Sequence, residues 1–215
     1  MRLLIDKKNG PIVIHITGKH ESSQTEVLCD AVMAGAISDF TMYEVMVEDW
    51  DSMLTPWPAS GIFGGRDFQG NAREQLSVIE TTILDELGEG IISQRPIYIA
   101  GYSLAGLFAM WAMCESDIFD GAVSASGSLW YPNWCQYVEE RNFASDKKVY
   151  LSLGDKEPKT KNQVMSTVGI CTQKTYDILR DNPMVGSSTF EWNEGGHFTN
   201  PMERIAKGIA WIIDN

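Results

Sequence analysis

The sequence predicts a three-layer α/β domain, a mainly parallel sheet with helices on both faces. Three observations carry that expectation. Short apolar segments of strand length alternate along the chain with longer segments of helical periodicity. The 215 residues suit one compact domain, residues 1–215, with no internal repeat and no linker to mark a second. And at residues 96–114 a short apolar strand runs through a serine flanked by small residues directly into a helix.

The elements follow in order. Residues 2–5 and 12–17 read as strands and flank Asn9-Gly10, a strong hairpin turn signal. Residues 23–37 have helical spacing, and Tyr43, Val45 and Val47 alternate as a second core strand. Residues 49–71 form a long loop rich in Pro, Gly and aromatics, including Pro56-Trp57-Pro58 and Gly64-Gly65. Long loops in compact domains are often functional. Residues 72–87 are helical and Gly88 and Gly90 end them. Residues 96–100, 122–125, 148–153 and 188–192 read as further strands, and 104–114 and 163–180 as helices. Trp130-Tyr131-Pro132 reads as a loop, and Pro201 opens a last helix to residue 213.

Composition narrows the function classes. The net charge of −12 repels phosphate backbones and anionic lipid, which argues against nucleic-acid or membrane partners. A sequence pI near 4.6 also disfavours anionic substrates unless a local cation such as Arg66 compensates. No stretch approaches the roughly 18 apolar residues of a membrane span. The N-terminal residues have no signal-peptide pattern, so a cytoplasmic location is expected. The four cysteines, Cys29, Cys114, Cys135 and Cys171, are widely spaced and read as free thiols in a reducing compartment. Nothing calls for a metal.

In parallel sheets, chemistry gathers at the carboxyl ends of the strands. Ser103, in Gly101-Tyr102-Ser103-Leu104-Ala105-Gly106, stands there, on a tight turn ahead of a helix N-terminus. The bare pattern is common by chance, and its strand-to-helix context is what gives it weight. A serine nucleophile needs a base. Of three histidines, His15 lies inside a strand, where a structural role fits better, and His20 lies in a loop after one. His197, in Gly195-Gly196-His197-Phe198, follows the last strand, and its glycines let the loop turn back over the sheet. The third group should follow a strand between these two. Asp155 and Glu157 both qualify, and spacing does not separate them. Leu104 N–H is the expected first oxyanion donor, and the Thr17-Gly18-Lys19 turn the second, with Lys19 N–H preferred and Gly18 allowing close approach. Trp57, Trp130 and Tyr131 follow strands and would wall a substrate pocket, against the alternative that they pack beneath the long loop.

These segments, with Leu54-Thr55-Pro56-Trp57, Ser126-Gly127-Ser128-Leu129-Trp130 and Leu153-Gly154-Asp155-Lys156-Glu157, resemble the esterase D / enterochelin-esterase-like branch of the α/β-hydrolases. That branch also includes feruloyl esterases and mycolyltransferases, and the resemblance covers nearly the whole chain. It implies an α/β-hydrolase-type fold and a Ser–acid–His triad, or in some members a Ser–His pair. It also implies ester cleavage through an acyl-enzyme, a small-molecule ester as substrate and no cofactor. The family's acid often stands three residues after a strand-ending glycine, which favours Glu157 over Asp155. Two features depart from the pattern. Ala105 stands where a glycine is usual, and the chain is short, without a large lid. Acyl transfer to an alcohol, or a binding module that retains the fold, are the competing functions.

Overall fold

The computed structural model describes residues 1–62, 65–141, 143 and 146–215. Phe63 and Gly64 of the long loop therefore lie outside the described residues. Strands β1 (Arg2–Asp6), β2 (Ile12–Gly18), β3 (Thr41–Val47), β4 (Ile97–Tyr102), β5 (Gly121–Ala125), β6 (Lys147–Gly154) and β7 (Val185–Asn193) form one sheet. Its order is β1-β3-β2-β4-β5-β6-β7. Only β1 runs antiparallel, on β3, and every other neighbouring pair is parallel.

The hairpin expected at Asn9-Gly10 does not form. β3 lies between β1 and β2 and pairs with both, Arg2 with Glu44 and His15 with Glu44 from the other side. The turn itself is present, with Gly10 at φ +71°, where a Cβ would strike the Asp39 carbonyl. What the local signal lacked was the third strand.

The helices are α1 (Thr25–Gly35), α2 (Trp50–Met53), α3 (Ala72–Leu87), α4 (Glu89–Ile92), α5 (Leu104–Glu115), α6 (Trp134–Glu139), α7 (Val168–Arg180) and α8 (Pro201–Asp214). The alternation of side chains along the strands divides the core in two. Ile12, Ile14, Ile16, Ile97 and Ile99 face α3 and α5. Val13, Tyr98, Ala100, Val123 and Tyr150 face α1 and α8. Helix α5 is apolar all round and buried from Leu104 to Met113, as befits a helix packed on every side. Three expectations change in detail. The long loop contains α2, the helix expected from residue 163 starts at Val168 after a 3₁₀ turn, and α6 follows the Trp130-Tyr131-Pro132 loop. Because β2 through β7 are parallel, Gly18, Tyr102, Ala125, Gly154 and Asn193 all end at one edge of the sheet.

Candidate active site

Ser103 joins β4 to α5 with φ 58° and ψ −123°, a conformation that is strained for any residue but glycine. Strain of this kind, about 1–3 kcal/mol, persists only where neighbours over-determine the backbone. Here Ser103 N–H donates to the Ala125 carbonyl at 3.2 Å, and the Ser103 carbonyl accepts from Gly106, Leu107 and Ser128 at 3.0–3.1 Å. Gly101 is required on steric grounds, since a Cβ there would run into the backbone of Ala105. Ala105 itself is fully buried and accommodated, so the departure from the usual glycine leaves the turn intact.

His197 reaches the serine from the loop after β7. Its Nε2 lies 3.0 Å from Ser103 Oγ, and its Nδ1 lies 2.7 Å from Glu157 Oε2. The imidazole is 25% exposed and the Glu157 side chain 6%, so the ring meets solvent and the carboxylate does not. Of the two loop glycines, Gly195 adopts φ +100° with Thr199 against it, whereas Gly196 has open space where a Cβ would stand. The turn therefore depends on Gly195 alone. Tyr102 Oη donates to the His197 carbonyl at 2.5 Å and fixes the loop from β4.

Glu157 is the carboxylate beside the imidazole, and Asp155 is not. Asp155 Oδ1 accepts from Gly195 N–H at 2.7 Å, and Lys159 approaches its other oxygen at 4.0 Å. Asp155 thus ties the loop after β6 to the histidine loop without touching His197. Burial pushes the Glu157 carboxyl up, but the His197 hydrogen bond and charge, the Gly154 N–H and the Ser126 hydroxyl outweigh it. The net effect holds Glu157 below the usual carboxylate range. Glu157 Oε1 accepts from Ser126 Oγ at 2.8 Å, Gly154 N–H at 2.8 Å and Arg204 Nη1 at 3.1 Å.

Leu104 opens α5, and the first N–H groups of a helix have no partner within it. Ile16 pairs with Gly101, so Gly18 and Ser103 emerge level on neighbouring strands. The Gly18 N–H donates to Glu21 Oε2 at 3.3 Å. Gly18 makes room for His20 and Trp50. Lys19 follows it with its side chain in solvent, 3.4 Å from Glu48.

A cavity of about 380 Å³ opens beside the imidazole, walled by Trp130, Lys156, Thr160, Met165, Val168 and Phe198. Phe198 is 91% exposed and packs edge-on against His197. Trp130 and Trp57 share a second cavity, also about 380 Å³, with Ile62 and Val164. A larger one, about 660 Å³, lies at the β1–β3 edge near Met1 and Val78, and neither serine nor histidine lines it. Tyr131 is buried at 2% exposure and donates to the Trp57 carbonyl at 2.6 Å. It supports the loop from beneath and is not a pocket wall. Among the described residues, no group of three or more His, Cys, Asp or Glu is arranged to hold a metal ion.

Sequence reading missed Arg204, Ser126 and Tyr102 as parts of this site. Arg204 carried a signal: on α8 it lies in helical phase with the buried Gly208 and Ile212, and a charge in an apolar stripe demands a partner.

The sheet order and the strained strand-to-helix serine define the architecture of the α/β-hydrolases. Solved structures agree. The chain is similar to the siderophore hydrolase EstA from Aspergillus nidulans, with 16% identity, coverage of 96% of this chain and 84% of that one, and TM-score 0.71. The siderophore hydrolase EstB of the same fungus gives 14%, 98%, 84% and 0.71 in the same order. An IroE-like serine hydrolase from Shewanella oneidensis gives 17%, 95%, 70% and 0.73. No protein-family model and no curated protein matches the chain. At these identities the likeness establishes the fold.

Proposed function

We propose that this chain is a serine hydrolase of small-molecule carboxylic esters, working as a single α/β-hydrolase domain over residues 1–215. The observation that carries the reading is the line Ser103 Oγ to His197 Nε2, 3.0 Å, and His197 Nδ1 to Glu157 Oε2, 2.7 Å. That spacing suits a nucleophile, a base and the group that orients the base.

In this mechanism Ser103 Oγ attacks the ester carbonyl as its proton passes to His197 Nε2. Glu157 stabilises the imidazolium through Nδ1. The oxyanion accepts hydrogen bonds from Leu104 N–H and Lys19 N–H. His197 then protonates the leaving alcohol, and Ser103 is left acylated. A water loses its proton to His197 and attacks the acyl-enzyme, and His197 returns that proton to Ser103 Oγ as the bond to the acyl group breaks and the acid leaves. Hydrolysis is preferred over transfer to an alcohol because the imidazole and Phe198 are open to solvent. The substrate's apolar part would lie against Trp130, Met165 and Phe198.

Replacing Ser103 by Ala is expected to lower p-nitrophenyl acetate turnover on the order of a million-fold, the loss typical of a triad acting as a unit. A fluorophosphonate should label wild-type Ser103. Unchanged turnover in the variant, or no labelling of the wild type, would overturn the esterase reading and leave a non-catalytic module.

A further inference from the structure

We infer that Arg204 is a positioning residue for this site: one buried guanidinium on α8 locks the acid and base loops together and reserves Glu157 Oε2 for the imidazole. The inference rests on the esterase reading above. Arg204 is 3% exposed, a burial that a charge tolerates only with full pairing. Its Nη1 donates to Glu157 Oε1 at 3.1 Å and Ser126 Oγ at 3.0 Å, and approaches Tyr102 Oη at 3.5 Å. Its Nη2 donates to the Glu194 carbonyl at 2.9 Å, three residues before the histidine.

One planar fork therefore spans two loops. One prong grips the acid, and the other grips the backbone that leads to the base. Ser126 and Gly154 N–H complete the occupation of Oε1. With that oxygen filled, Oε2 is the oxygen left for Nδ1, and the carboxylate has no reason to rotate. The guanidinium also offsets part of the carboxylate charge that the imidazole feels. The charged and titratable groups around the imidazole are Glu157 and Lys156 from the loop after β6, Tyr102 from β4 and Arg204 from α8.

Two variants separate the fork from the charge. Arg204→Lys keeps the charge but has no rigid fork to bridge both loops. It should lower kcat on p-nitrophenyl acetate about tenfold, with KM in place. Arg204→Met removes the charge and both prongs, and should lower kcat at least as much. The low-field proton resonance of His197 Nδ1–H should also weaken or vanish. Wild-type kcat in Arg204→Lys would overturn the inference, even if Arg204→Met fails to fold. So would a folded Arg204→Met with the resonance unmoved. The resonance needs no substrate. If the wild type proves inactive, the esterase reading falls, while the resonance still tests Arg204.

Discussion

At the scale of single residues, two carboxylates two positions apart have different partners because different loops meet them. Glu157 is enclosed and faces Nδ1, whereas Asp155 is half-exposed and holds Gly195 N–H. Glu157→Gln is expected to cut kcat/KM on p-nitrophenyl acetate by about 10⁴, the loss seen when a triad acid is replaced elsewhere. Asp155→Asn should cost about tenfold or less, since it loosens a loop contact only. A larger loss in Asp155→Asn than in Glu157→Gln would reverse the assignment. The sequence could nominate both carboxylates by chain order. It could not rank them, because the ranking depends on where the loop after β6 meets the loop after β7. The resemblance to a family with a known acid position was what favoured Glu157. Ser103 and His197, which lie 3.0 Å apart, were nominated from the residues alone, one from its strand-to-helix setting and one by elimination among three histidines.

At the scale of elements, strongly patterned segments were easy to read and short or non-local ones were not. The fully buried β2 and β4 and the apolar α5 declared themselves as apolar runs of strand and helix length, and the amphipathic α8 by its period. Helix α6 has six residues, too few to show a period, and starts after Asn133 in a left-handed conformation. The segment before α7 reads as helix in sequence, yet Asn162 Oδ1 accepts from Val164 and Met165 N–H and turns it into a 3₁₀ start. Cys135 and Cys171 are remote in sequence. Packing of α6 against α7 brings Cys135 Sγ within 3.8 Å of the Cys171 carbonyl. The β4–α5 junction is the element on which the site depends most. Gly101→Ala would force a methyl group into the Ala105 backbone, an overpacking worth about 1–3 kcal/mol. In a domain of this size that should lower Tm by roughly 2–12 °C. An unchanged melting temperature would mean that the turn has slack the geometry does not suggest.

At the scale of the whole molecule, the sheet gathers residues from both ends of the chain, from Gly18 to Arg204, at one edge, and no described helix is long and apolar enough to cross a membrane. The same sheet carries a latent acid sensitivity. His15 sits in β2 at 3% exposure with Nδ1 unpartnered, and burial lowers its pKa from 6.5 to about 4. The unfolded chain takes up the proton near 6.5, while the folded chain refuses it until about 4. Unfolding therefore binds a proton between those values, and stability falls as the pH drops through that window. The contribution of this group is about 3 kcal/mol. Urea denaturation should show that slope in the wild type and a flatter one in His15→Asn. Equal slopes would assign the acid sensitivity to other groups.

The placement of β3 between β1 and β2 also bears on how the chain assembles. Arg2 must find Glu44, and His15 must find the same residue, before the N-terminal edge exists. Asn9-Gly10 meanwhile invites β1 and β2 to close on each other at once, across a much shorter loop. The early, local pairing and the native one exclude each other. The first strand thus begins with a competitor encoded in its own turn, a point of frustration that β3 resolves by inserting into the gap.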